Sequence, residues 1–224
     1  MNQDTEDPQD LQRQHNGVKL PLIGLLAVAV LSVTLVSIVE QRTRTQISVN
    51  EADRARKAIA ATLPPAGYDN QPHRDQKRVA APEYLGTKQL MPVYRARNGD
   101  RLVAVVLTTE APDGYVAPIR LLVGIDTDGR IIAVRATSHQ ETPGLGDAID
   151  ADRSGWIEVF NGRMLQEGLN ENGQSRLVLK KDGGDIDHIT GATITSRAVT
   201  NAVRKALQFY TVARGSLADK QPAD

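Results

Sequence analysis

The sequence predicts an α+β domain tethered to a membrane by a single N-terminal helix. Three observations predict it. An uncharged, almost wholly apolar run extends from Leu20 to Val39. Paired β-type runs, separated by turn residues, fill the stretch from Met91 to Thr137. A helical pattern then closes the chain, with Ala198, Val199, Ala202, Val203, Ala206, Leu207 and Tyr210 recurring on one face. Strands gathered before a closing helix, rather than alternating with helices, point away from a doubly wound sheet.

Composition narrows the chemistry. The chain has 224 residues, room for one ordinary domain with appendages. Its formal net charge is zero, so there is no electrostatic footprint for nucleic acid. There is no Cys, which excludes disulfides, thiolate catalysis, Cys-ligated clusters and haem attached through Cys. His15, His73, His139 and His188 are scattered without metal-ligand spacing, so no metal site is expected. Neither a G-x-G-x-x-G fingerprint nor a G-x-x-x-x-G-K-[ST] loop is present. No G-x-S-x-G elbow supports a Ser–His–Asp triad, and no catalytic residue is assigned.

Taken in order, residues 1–19 are polar, with Asp4, Glu6, Asp7 and Asp10 close together, and read as a disordered cytoplasmic tail. Residues 20–39 form the transmembrane helix. At 1.5 Å per residue the run spans roughly 30 Å, the thickness of a bilayer core. It is long for a signal-peptide core, and Glu40-Gln41-Arg42-Thr43-Arg44 follows it where a small-residue cleavage site would stand. Residues 40–65 read as a membrane-proximal helix. Ala52, Ala55, Ile59 and Leu63 give it a narrow apolar stripe, and Pro64-Pro65 ends it. Residues 66–90 are polar and irregular, as in a linker.

The domain proper is expected at 91–213. Met91–Ala96 and Arg101–Thr109 form one hairpin around Asn98-Gly99-Asp100. Ala117–Asp126 and Arg130–Thr137 form a second around Thr127-Asp128-Gly129. Ala148–Asp152 and Gly155–Phe160 read as short helical pieces, with Trp156 and Phe160 on one face, and Arg176–Lys181 reads as another strand. The closing helix is expected to end near Ala213, leaving 214–224 as a polar tail.

Two stretches carry chemistry. Asp187-His188-Ile189-Thr190-Gly191-Ala192-Thr193-Ile194-Thr195-Ser196 crowds hydroxyls and small residues into the start of the closing helix. Free N–H groups and the helix dipole suit a phosphate there, and the same residues suit an ordinary Ser/Thr helix cap. The second stretch is the Pro/Gly loop Glu141-Thr142-Pro143-Gly144-Leu145-Gly146. Both bring backbone close to a ligand.

At these residues the chain resembles a known family. Asp187-x-x-Thr190-Gly191-Ala192-Thr193-x-Thr195 is similar to the D-x-x-[S/T]-G-A-T-x-T motif of FMN-binding domains that carry flavin covalently. With Ala111-Pro112-Asp113-Gly114-Tyr115, the Glu141–Asp147 loop and Lys180-Lys181-Asp182-Gly183-Gly184, it resembles the G subunit of the Rnf/Rsx ion-translocating electron transport complex over about residues 20–212. The resemblance implies FMN joined by a phosphoester to Thr195, with Thr190, Gly191, Ala192, Thr193, Ser196 and Asp187 around the attachment point. It implies Glu141, Thr142, Gly144 and Leu145 as contacts of the flavin, and Lys180 or Lys181 as a counter-charge to the phosphate.

The same resemblance implies an electron relay with no independent catalytic site. Such a relay moves electrons between ferredoxin-type and NADH-side carriers and couples them to ion translocation. Its partners are the other subunits of the complex and, transiently, a flavin transferase that uses FAD and Mg²⁺. The flavin domain is expected on the periplasmic side of a bacterial inner membrane. Charge counting leans the other way, since Arg42, Arg44, Arg54, Arg56 and Lys57 follow the span while only Arg13 and Lys19 precede it closely. Long domains translocate largely regardless of that bias. Two alternatives stay open: the C subunit of a sodium-translocating NADH:quinone reductase, which shares both motifs, and a non-redox membrane-anchored assembly module.

Overall fold

The computed structural model describes residues 8–165 and 176–219; within the first helix, side chains are described from Gly24 to Glu40, at Arg42 and from Ala52 onward. The chain divides into two units, Met1–Asp53 and Arg54–Asp224.

The described residues of the first unit belong to helix α1, Pro8–Ala60. Its start at Pro8 lies inside the segment expected to be a disordered tail. Leu11, Gln12, Arg13 and Gln14 are good helix formers, and adding turns to an existing helix costs far less than nucleating one. From Leu25 to Val39 the large apolar side chains are exposed on every side of the helix. Ser32 and Thr34 turn their hydroxyls back onto the carbonyls of Val28 and Val30, at 2.8 and 2.7 Å. Among the described residues no helix is long and apolar enough to cross a membrane. The side chains of Leu20–Ile23, the first part of the expected span, lie outside the described residues, as does the start of the tail at 1–7.

The second unit is built on one antiparallel sheet of five strands in sequential order. The strands are β1 (Gln76–Val79), β2 (Met91–Asn98), β3 (Arg101–Ala111), β4 (Ile119–Asp126) and β5 (Ile131–Ser138). Both expected hairpins form, β2–β3 and β4–β5. Period-two alternation sends β3 side chains to opposite faces. Val105 and Leu107 join Val93, Leu121 and Val123 on the face covered by α2 (Pro82–Leu85) and α3 (Thr193–Ala218). Ala104 and Val106 join Leu122, Ile59 and Leu63 on the other. That second face is where the end of α1 meets the sheet. A Cβ at Gly124 of β4 would stand 1.7 Å from the carbonyl oxygen of Thr62, so only glycine admits the crossing.

Helix α3 buries each residue of its expected apolar face: Ala198, Val199, Ala202, Val203, Ala206, Leu207 and Tyr210. The short helical pieces appear as 3₁₀ turns at Gly146–Ile149 and Trp156–Phe160, where the Trp156 and Phe160 rings meet edge-to-face at 5.6 Å.

Three further expectations differ from the structure. Residues 66–90, read as a linker, contain β1 and α2, and Leu85 is fully buried. Asp75 ties this segment down through Arg95 and Arg97 of β2, and Asn70 accepts from the Arg97 N–H at 2.9 Å. The helix continues past Ala213 to Ala218 and buries Leu217, so 214–219 is not a free tail. Arg176–Lys181 forms no strand. Gly183 and Gly184 fold the chain back so tightly that it makes a single bridge, Leu179 to Ile186, and a 3₁₀ turn at Lys180–Asp182.

Candidate flavin site

Helix α3 positions the site. It begins at Thr193, and the capping position is Ala192, which brings no side-chain acceptor to the N–H groups of the first turn. The Ser/Thr cap is therefore not the arrangement formed. Ser196, one turn in, donates its hydroxyl to the Ala192 carbonyl at 2.9 Å and accepts from the Ile189 N–H at 3.0 Å. It closes the turn before the helix rather than facing outward. Gly191 makes that turn at φ +80°, a conformation glycine adopts without strain.

Cationic groups surround this helix start. Lys181 Nζ donates to Thr193 Oγ1 at 3.1 Å, and Lys180 pairs with Asp187 at 2.7 Å. Arg197 makes a two-pronged bond to Asp182 at 2.7 and 2.8 Å. Hydrogen bonds from that guanidinium hold the Asp182 carboxyl below its ordinary range, and the same bonds raise Arg197. Trp156 Nε1 fixes the Asp187 carbonyl at 2.6 Å.

The second stretch folds over the first. Thr195 is 1% exposed, and its hydroxyl donates to a carboxylate oxygen of Glu141, itself 4% exposed. The other Glu141 oxygen accepts from the Val116 N–H at 3.2 Å. Gly146 lies directly over the pair. A Cβ there would stand 2.8 Å from Glu141 Cβ and 3.1 Å from Thr195 Oγ1. His139 anchors the loop's entrance: its Nδ1 accepts from the Glu141 N–H at 3.2 Å, which leaves the Nε2 proton to point at Asp150, 3.0 Å away. Beyond Glu141 the loop is open, with Thr142, Pro143, Gly144 and Leu145 exposed. Tyr115, Val116, Leu145 and Ile194 present apolar side chains to solvent around the pair.

The structure thus brings Thr195 against Glu141, Lys181 against Thr193 and Leu145 against Gly191, whose added Cβ would meet Leu145 Cδ2 at 3.0 Å. Thr190, Thr142 and Gly144 stand exposed at the edge of the site. Val116 and Asp150 are site residues that the sequence did not single out, whereas Gly146 stands in the loop that it did. Val116 and Asp150 act through backbone and tertiary geometry that no local pattern announces. The residues present fit a nucleotide phosphate: an uncapped helix start, a lysine on its first hydroxyl, and a threonine in the first turn.

Comparison with known proteins bears on the family. Residues 114–208 match the family model of the FMN-binding domain, an interval that contains both the Glu141 loop and the start of α3. The G subunit of the ion-translocating oxidoreductase complex of Pseudomonas aeruginosa is 40% identical over 196 residues, covering 88% of this chain and 89% of that protein. The protein of the same name from Cronobacter sakazakii is 43% identical over 185 residues, covering 82% and 86%. The crystal structure of Shewanella oneidensis NqrC overlaps 71% of this chain and 73% of its own at 20% identity, with a TM-score of 0.46. Identities to the two curated relatives, held across nearly the whole length of both partners, decide the family: the chain belongs to the G subunits of the Rnf ion-translocating oxidoreductase complexes.

Proposed function

We propose that this chain is the covalent flavin carrier of a membrane-bound Rnf-type complex, with FMN joined through its phosphate to Thr195. The observation that carries the reading is the start of α3, where an acceptor hydroxyl sits in the first turn of an uncapped helix end flanked by Lys181. Bound FMN supplies one- and two-electron redox chemistry. The chain's own residues do the rest. The first-turn N–H groups and Lys181 offset the phosphate charge. Thr142, Gly144, Leu145 and Tyr115 line the open side on which the flavin rings rest. A covalent bond keeps the flavin on an exposed domain, and its electrons pass to and from the other subunits of the complex.

The N-terminal helix anchors the domain. An all-round apolar surface from Leu25 to Val39 is unfavourable in water and matches a bilayer interior, and the back-bonded hydroxyls of Ser32 and Thr34 need no water there. We place the flavin domain on the periplasmic side of the inner membrane, where a flavin transferase using FAD and Mg²⁺ loads it.

Three measurements test the reading. Protein produced together with the transferase should give a flavin-fluorescent band after denaturing electrophoresis, and the peptide containing Thr195 should carry the mass of FMN. Thr195→Val should abolish both. An unmodified peptide, or equal fluorescence in the variant, refutes the attachment. A reporter fused after Asp219, beyond the end of α3, should be active only when exported.

A further inference from the structure

We propose that Glu141 is the base for flavin attachment, so that the chain supplies to its own modification the group that takes the proton from Thr195. The inference rests on the attachment proposed above and adds who activates the acceptor. A threonine hydroxyl is a poor nucleophile at its ordinary pKa and needs a base within hydrogen-bond reach. Glu141 already receives the Thr195 hydroxyl proton in a hydrogen bond, in a place from which water is nearly excluded. Its other oxygen is occupied by the Val116 N–H, so both oxygens act as acceptors, the arrangement of a carboxylate. His139 holds the backbone of Glu141, and Asp150 holds His139. A base oriented by a further pair of groups is the pattern of an activated nucleophile.

The step balances if the donor is a flavin phosphoanhydride. Thr195 Oγ1 forms the new bond to the flavin-side phosphorus. The anhydride P–O bond breaks, and its electron pair leaves with the second phosphate as a monophosphate. The hydroxyl proton passes to Glu141, which becomes a neutral carboxylic acid. That neutralisation also serves the product. A phosphodiester anion and a carboxylate held side by side out of water would repel each other, and protonation removes the conflict. Access is the role of the exposed part of the loop. Gly146 covers Thr195 Oγ1, so Thr142–Gly146 must lift while Glu141 stays pinned by Val116 and His139.

The test is the rate of flavin transfer onto the full chain in detergent, followed by intact mass with saturating FAD, Mg²⁺ and purified transferase. Glu141→Gln keeps the shape and one acceptor oxygen for the Val116 N–H. It should slow transfer about a hundredfold or more at saturating acceptor, the usual worth of a placed base. Glu141→Asp should recover part of the loss. The wild-type rate should fall on the acid side of its pH profile, and the Gln variant should lose that limb. Transfer by Glu141→Gln within a few-fold of wild type overturns the proposal. So does a loss confined to the half-saturating acceptor concentration with the pH limb unchanged, which marks a positioning role only. If wild type takes up no flavin on Thr195, the attachment itself fails, and the two failures are distinguishable.

Discussion

The two ends of helix α3 are finished in opposite ways. At the C-terminal end three cations reach from the sheet edge to close the last carbonyls. Lys77 donates to Ser216 O at 2.8 Å, Arg97 to Ala218 O at 2.9 Å and Arg95 to Asp219 O at 2.6 Å. Each helix end leaves four backbone groups orphaned, and cations complement the negative end of the dipole. At the N-terminal end the capping residue is Ala192, and among the described residues no side-chain capping bond is made. A fold that spends two buried arginines on one end and an alanine on the other has left the second end for something outside the chain. The difference teaches where to look for a ligand: at the orphan groups the protein could have satisfied and did not.

The comparison breaks most readily at the finished end. Arg97 is 5% exposed and bonds Asp75, Asp100 O and Ala218 O. Arg97→Met would keep the volume and remove the bonds to the Asp100 and Ala218 carbonyls while halving the charge that faces Asp75. The expected loss is about 3 kcal/mol of unfolding free energy, read from the denaturant midpoint of the full chain. A loss near zero would mean that the clasp is ornamental and the asymmetry without consequence.

At the unfinished end the changes are smaller. Gly191→Ala forces a Cβ into a φ of +80° and to within 3.0 Å of Leu145 Cδ2. It should cost about 1–2 kcal/mol and lower flavin occupancy, because the turn sets where the helix begins. Ala192→Ser should do the reverse for the empty protein. A hydroxyl at the capping position satisfies a first-turn N–H and should raise stability by about 1 kcal/mol. The same hydroxyl competes with phosphate for those N–H groups, so flavin loading should slow. A cap that stabilises the empty chain without slowing loading would separate the helix end from the phosphate.

The same contrast explains what could be read before the structure. The apolar face of α3 was legible because Ala198, Val199, Ala202 and their successors follow the helical period, and local periodicity is enough to place them. The β2–β3 and β4–β5 hairpins were legible from Asn98-Gly99-Asp100 and Thr127-Asp128-Gly129, whose turn chemistry is local too. Strand β1 was not. Gln76-Lys77-Arg78-Val79 is short and charged, and what makes it a strand is the pairing of Asp75 with arginines some twenty residues ahead. The Arg95 and Arg97 clasp was hidden for the same reason, since two arginines on a strand read as solvated until a helix end is brought over them. In the site, the motif around Thr195 is what suggests a phosphate. Nothing in it announced Glu141 as the partner of the Thr195 hydroxyl, because 54 residues separate them and only the lie of the loop joins them.

The smallest effect expected concerns Asp182 and Arg197, the ion pair beside the unfinished end. Its sign follows from linkage. Hydrogen bonds from Arg197 lower the folded-state pKa of Asp182 below its value in the unfolded chain. The unfolded chain therefore binds the proton more readily, and stability rises with pH across that window. The contribution is complete above the unfolded value of about 3.9 and is lost as pH falls through the lower folded value. Both groups are exposed, so water and salt screen the pair, and its effect should shrink further in high salt. Arg197→Gln should thus lower stability near neutral pH only slightly, by the pair's whole contribution, and its difference from wild type should fade below about pH 4 as Asp182 takes up its proton. An effect at neutral pH as large as that of Arg97→Met would show that the N-terminal end of α3 is braced as firmly as the other, and the contrast between the two ends would no longer mark the ligand site.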